Sequence, residues 1–413
     1  MMRQCRPRSL SAALLLSIVP CAQAATVTVN TAADSASLAN AGDGNCSLRE
    51  AIHVINEGNA SPDCPATGFG DNDTIIFDLV DENSITLEDA VDADIEIQKA
   101  LRLRGPSPDG VTIRRDFVTA HDFRLLEVTE GVSLVLENIT LTGGETNTEG
   151  GALRSWGDIT LINSTLTNNS ASGTDSFGGG GLFAAGNITL KSSTISGNTS
   201  GDDVGGVCAE GNLVMNNSTV SGNSAHDDVG GLHAGGSLSL VSSTISGNSA
   251  TDRVGGVQAL GDIEMNHTIL SGNTARAYPD LFTEGTLTAE YSILGTGIDA
   301  TGEGNISTDN PMLAALADNG GSTPTRLPML GSPAIDNGNN DIYATRQVST
   351  LDQRGIERPQ DGDGNNIAVW DIGAVEHETI EPIPTLSTLG LVLLSGLVGL
   401  VGWRFSRRPN GDD

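Results

Sequence analysis

The feature that most constrains this chain is an internal repeat of 25 residues. Residues 188–212 (ITLKSSTISGNTSGDDVGGVCAEGN), 213–237 and 238–262 align without gaps. Asn198, Asn223, Asn248 and Asn273 fall one step apart, and Gly205-Gly206, Gly230-Gly231 and Gly255-Gly256 keep the same step. Looser copies flank them at 137–158, 159–187 and 263–286. Apolar and polar residues alternate within a copy, as in Leu238-Ser239-Leu240, and no helical stripe runs through it. Each unit therefore reads as short strands separated by Gly and Asn turns. Such a unit cannot bury its apolar side alone, so the copies must stack. The expected fold is all-β: a right-handed, single-stranded parallel β-helix, with an N-terminal capping helix and a C-terminal apolar helix.

Stacking at the inter-strand spacing of about 4.8 Å turns equivalent residues into ladders. Ile188, Leu213, Leu238 and Ile263 should form one inward ladder, Ile195, Val220, Ile245 and Leu270 a second, and Val207, Leu232 and Val257 a third. The Asn row can bond amide to amide along the axis, and Asn also tolerates a left-handed turn. The Gly-Gly pairs are expected to supply positive φ where one strand bends into the next. Gly-Gly-Val/Leu with a Ser/Thr-rich strand ending in Asn resembles the repeats of polymorphic outer-membrane proteins and related bacterial β-helices.

Composition agrees with a solenoid. The 413 residues include 52 glycines, and aromatics make up only 3%, too little for a compact core of this size. A formal net charge of −31 argues against a nucleic-acid partner, which needs basic surface to release phosphate counterions. It suits a soluble exported protein and divalent cations.

Both ends read as address labels. Residues 1–24 carry Arg3, Arg6 and Arg8, an apolar run and Ala22-Gln23-Ala24. That pattern predicts a signal peptide for the Sec translocon, cut between Ala24 and Ala25. Near the other end, Leu386 to Trp403 is apolar and is followed by Arg404, Arg407 and Arg408. With Ile383-Pro384-Thr385-Leu386 ahead of it, the segment 383–408 resembles the IPTL-CTERM sorting signal of Gram-negative bacteria. The resemblance implies an exosortase-like peptidase as partner; the alternative is a plain membrane anchor.

Between the labels, residues 25–80 read as a cap, 81–308 as the repeats, 309–376 as a C-terminal domain and 377–384 as a linker. Ser47 and Glu50 form a capping box ahead of Leu48, Ala51, Ile52 and Ile55 at helix spacing, and Gly58 ends the run. Of the five cysteines, Cys5 and Cys21 are expected to leave with the signal peptide; Cys46 and Cys64 can pair in an oxidising compartment, leaving Cys208 over. Cys46-Ser47-Leu48-Arg49-Glu50-Ala51-Ile52, with Asp73-Thr74-Ile75-Ile76-Phe77 downstream, resembles the CSLREA domain of bacterial secreted proteins, which implies export but no reaction. Gly331-Ser332-Pro333-Ala334-Ile335-Asp336, Asp352-Gln353-Arg354-Gly355 and Asp371-Ile372-Gly373-Ala374-Val375-Glu376 resemble a choice-of-anchor type domain.

Three groups of residues could carry chemistry. Asp202, Asp203, Asp227, Asp228 and Asp252 recur at one coil position, where carboxylates suit Ca²⁺ or an acid/base pair for sugar cleavage. A lyase would also need a basic residue, and Arg253 is the only one in this row. Asp361, Asp363 and Asn365 alternate in a Gly-rich loop as calcium ligands do, with Asp371 as a further ligand. Cys208, His233 and Gln258 stack at one coil position, but no acid is placed to orient the histidine. The expected function is structural and adhesive: a non-catalytic protein of the cell surface or outer membrane, contacting glycans or other surface proteins. A secreted polysaccharide lyase or hydrolase using the acidic row is the alternative.

Overall fold

The computed structural model describes residues 24–34, 42–80, 83–88, 94–116, 121–173, 178–342 and 349–378. The chain divides into two units, residues 1–377 and 378–413, and all described residues but Glu378 lie in the first. Met1 to Gln23, the motif Ile383-Pro384-Thr385-Leu386 and the apolar span after it fall outside the described residues. Among the described residues, no helix is long and apolar enough to cross a membrane.

The fold is the expected all-β parallel solenoid of about 8 turns, with coils about 25 residues apart. Three long parallel sheets form its faces. Face 1 has ten strands and includes Ile188–Lys191, Leu213–Asn216, Leu238–Val241 and Ile263–Asn266. Face 2, also of ten, includes Thr194–Ser196, Thr219–Ser221, Thr244–Ile245 and Ile269–Leu270. Face 3 has eight, among them Val207–Ala209, Leu232–Ala234 and Val257–Ala259. Strands of the central coils pair in register with their copies one coil on, as Leu213 does with Leu238 and Val220 with Ile245. All three apolar ladders expected from the repeat are buried and belong to one continuous core.

The Asn corner between faces 2 and 3 is satisfied from within. The backbone N–H and side-chain Nδ2 of Asn198 both donate to Oδ1 of Asn223, at 3.0 and 2.9 Å. Asn223 does the same to Asn248, and Asn248 to Asn273. Each Nδ2 also donates across the coil to a backbone carbonyl, that of Asn223 to Ile195 at 3.0 Å. The left-handed residues are the glycines before these asparagines, Gly197, Gly222, Gly247 and Gly272.

The Gly-Gly pairs correct the expectation made for them. None of Gly205, Gly206, Gly230, Gly231, Gly255 and Gly256 has positive φ. They are glycines because the coils touch there: a Cβ on Gly230 would stand 2.5 Å from the carbonyl oxygens of Gly255 and Ser249. Close backbone approach, not turn conformation, is the constraint.

At the N-terminal end, helix α1 (Leu48–Glu57) has the expected capping box. Glu50 N–H donates to Ser47 Oγ at 3.3 Å, and Ser47 N–H donates to Glu50 Oε2 at 2.9 Å. Left-handed Gly58 ends it, and Leu48, Ala51, Ile52 and Ile55 join the core. The Cys46–Cys64 disulfide is formed across a sequence separation of 18. In the chain-entropy picture it contributes about 3 kcal/mol. Arg49 pairs with Asp34 at 2.9 Å, an anchor for the loop beside the helix.

Residues 309–342 and 349–377 do not extend the stack. They fold back along the outside of face 2. Gln353 lies between coils, its Nε2 donating to Thr194 Oγ1 at 2.8 Å while its Oε1 accepts from Thr219 Oγ1 at 2.6 Å. Asn217 Nδ2 donates to the Leu351 carbonyl at 2.8 Å, and Ala374 N–H to Thr244 Oγ1 at 3.1 Å. Hence Thr194, Thr219 and Thr244, outward on their strands, are buried.

Candidate functional site

The acidic residues stack on a corner leading into face 3. Backbone bonds hold the turns together: Asp227 N–H donates to the Asp202 carbonyl at 3.1 Å, and Asp252 N–H to that of Asp227 at 3.0 Å. One oxygen from each of Asp202, Asp203 and Asp227 can lie within 4.8 Å of the others. Asp228 and Asp252 have other partners. Arg253 pairs with Asp228 at 3.0 Å, and Arg276 with Asp252 at 3.5 Å. Arg253 is therefore not the only basic residue of the row; Arg276 joins it from a coil that departs from the repeat. Burial, then the charges of Asp202, Asp228 and Asp227, push the Asp203 carboxyl up to about 6.

Behind the acids, Val204, Val229 and Val254 fold over the outer side of face 3 and pack on Phe183 and Cys208. Cys208, His233 and Gln258 do stack in register. Cys208 is buried among these apolar side chains, and that burial pushes its thiol far up, so thiolate is not formed at neutral pH. His233 is shifted down by burial.

The Gly-rich loop brings Asp361 and Asp363 together with Asp336, which the sequence pattern did not include. Asp336 Oδ2 accepts from Asp363 N–H at 2.7 Å, while its Oδ1 is buried without a hydrogen-bond partner. Asn365 turns its amide nitrogen to Asp363 Oδ2 at 2.9 Å, so its side chain donates there rather than offering an oxygen. Asp371 is buried, with its carboxylate accepting from the backbone of Asp336 and His377. It belongs instead to a charge cluster in which Arg358 and Glu376, both fully buried, meet at 3.4 Å. Burial together with the facing Glu376 raises Asp371. Arg354 and Asp352 pair at 2.9 Å beside them, and Arg358 stacks on Trp370 at 5.2 Å. The Asp352-Gln353-Arg354-Gly355 and Asp371-to-Glu376 motifs thus meet in one place and hold residues 350–377 together.

Among the described residues, no segment outside the coils is seen to bond to the outer side of face 1 in its central coils, while Glu264, Asn266 and Glu290 farther along it have partners. Thr160, Thr189, Val214, Ser239 and Thr288 point outward on it, and each is partly exposed. A shallow groove of about 610 Å³ runs between Asn212, Val214, Ser239, Glu264 and Thr288.

Comparison with known proteins adds one result. Residues 381–408 match the IPTL-CTERM motif. This C-terminal sorting signal implies export to the cell surface and is consistent with processing by an exosortase-like enzyme. No curated protein and no solved structure matches the chain.

Proposed function

We propose that this protein is a non-catalytic adhesin or display protein of the cell surface, and that face 1 is its contact surface. The observation that carries this reading is the unequal cover of the three faces. Residues 309–342 and 349–377 cover face 2 over its central and C-terminal coils, and the valines of the acidic turns cover the middle of face 3. The central coils of face 1 keep a row of small polar and β-branched side chains in Thr189, Val214 and Ser239, suited to a glycan or another surface protein.

The address labels support export. Residues 1–24 act as a signal peptide for the Sec translocon, and an exosortase-like peptidase removes the segment after Ile383-Pro384-Thr385-Leu386. The capping helix and its disulfide belong to a CSLREA-type domain, the repeats to the polymorphic-outer-membrane-protein type, and residues 309–376 to a choice-of-anchor type domain. Asp361, Asp363 and Asp336 hold a calcium ion that stiffens the C-terminal domain.

Polysaccharide cleavage is the second reading. It is favoured by the raised Asp203 carboxyl beside Asp227, with Arg253 on the same corner. One experiment separates the two: the purified chain is incubated with acidic and neutral polysaccharides plus calcium, and both products and retention are measured. Turnover lost in the Asp227→Asn, Asp228→Asn double variant would make the protein an enzyme. Retention without turnover, abolished by Val214→Arg on face 1, supports the adhesin. Intact peptides reaching Asp413 in the surface-exposed protein would sink the sorting step.

A further inference from the structure

The last full coil breaks the repeat at one point. Val257 pairs with Leu281, so Pro279-Asp280 stands where the previous coil has Gly255-Gly256. Asp280 is 5% exposed, and its Oδ1 accepts from both the backbone N–H and Nδ2 of Asn273, at 2.9 and 2.8 Å. It thereby ends the Asn ladder. Its Oδ2 takes no hydrogen bond from any described residue.

Asp280 forms one wall of an open cavity of about 520 Å³, whose lining also includes Tyr278, Thr296, Ile298 and Asp309. Asp309 is fixed by Thr296, whose N–H and Oγ1 both donate to it at 2.7 Å. Those two bonds hold its carboxyl below the usual range. Asp280 is shifted the other way, by burial first, with the Asp309 charge adding to it. Among the described residues, neither carboxylate has a Lys or Arg partner. Tyr278 is 45% exposed, with its ring 5.1 Å from that of Phe282.

The chemistry of the lining narrows what can enter. Ionised carboxylates only accept hydrogen bonds, so the ligand must donate. Two acids without a counter-charge favour a cation, and the half-exposed aromatic ring that lines the same cavity favours it further. A volume of 520 Å³ lies in the range of small-ligand sites. It is wider than an ammonium on a narrow aliphatic stem would fill. A sugar ring offers what the walls ask for: an apolar face, a polar rim and space for an amine.

We propose that this cavity binds a protonated amino-sugar unit of a deacetylated amino-sugar polysaccharide, its amine at Asp309 and Asp280 and its ring against Tyr278. The inference rests on the adhesin reading and gives it a ligand class.

The test titrates the full chain calorimetrically with short glucosamine oligomers, with their N-acetylated counterparts and with an oligolysine peptide. Only the glucosamine oligomer should bind well. Asp309→Asn and Tyr278→Ala, both at the rim, should each weaken it about tenfold, a loss of about 1.4 kcal/mol; Tyr278→Ala should do so with melting unchanged, while Asp309→Asn also gives up part of the Thr296 bonding. Equal binding of the acetylated oligomer, unaltered binding by either variant, or oligolysine binding as tightly as the sugar would overturn the proposal. If retention on glycans depends on Val214 but not on Asp309, this site falls while the adhesin reading stands.

Discussion

Each central coil turns at an Asn corner and, a few residues later, at an Asp corner. The two rows repeat at the same step, yet Asn198, Asn223 and Asn248 are buried and fully bonded while Asp202, Asp203 and Asp227 remain at the surface. The difference lies in what the side chains can do with their own kind. An amide donates and accepts, so a column of amides satisfies itself. An ionised carboxylate only accepts, so a column of carboxylates repels itself and needs arginine, protons or a cation. Asp280 marks the boundary between the two behaviours: it accepts from the last amide and has nothing of its own to donate onward when ionised.

The largest effect should come from breaking the self-sufficient row. Asn223→Ala removes the acceptor for both donors of Asn198 and the donor to the Ile195 carbonyl. Chemical denaturation should show a loss of about 3 kcal/mol; a loss no larger than that of a surface substitution would mean the ladder is not structural. Next, Gly230→Ala drives a methyl against the Gly255 and Ser249 carbonyls beside this corner. A cost of about 2 kcal/mol is expected, whereas a neutral result would return these glycines to a turn role.

The acidic row should respond in the opposite sense. Asp203 has its carboxyl raised from 3.8 to about 6, so the folded chain holds that proton more tightly than the unfolded chain. Its contribution is then fully present below 3.8 and is lost as pH rises through about 6. Asp203→Asn should therefore raise the melting temperature by about 2 °C in neutral buffer and leave it unchanged in acid below the ordinary carboxyl range. An equal effect at both pH values would show that charge is not the cause. Smallest of all, calcium against EDTA should raise the melting temperature by about 1 °C, and Asp336→Asn should cancel the rise. No difference between the two buffers would remove calcium from the Asp361 loop.

The stack was legible because every central coil sees the same surroundings, so one alternating strand such as Leu238-Ser239-Leu240 speaks for all its copies. The capping helix was legible because Ser47, Glu50 and Gly58 are local signals. The cover of face 2 was not, since Gln353 meets Thr194 across 159 positions and no periodicity reports that contact. The glycine pairs were found but misread, because the atoms that forbid a Cβ belong to the next coil. Asp336 and Asp280 were missed as site residues. The one ends a motif noted for other reasons, and the other is visible only as the place where Gly-Gly gives way to Pro279-Asp280.

The fold-back of residues 349–377 also governs how the solenoid would bear load. A bare solenoid pulled from its C-terminal end would peel, each coil parting from its neighbour in turn. Here a pull transmitted through Val375 enters the stack at Thr244 and at the His267 carbonyl, upstream of the last strands. It then runs along the attached strap to Thr219 and Thr194 through Gln353. Tension is shared across several coils as shear. A protein tethered by its tail could thus be tugged at the surface without unravelling from the tethered end.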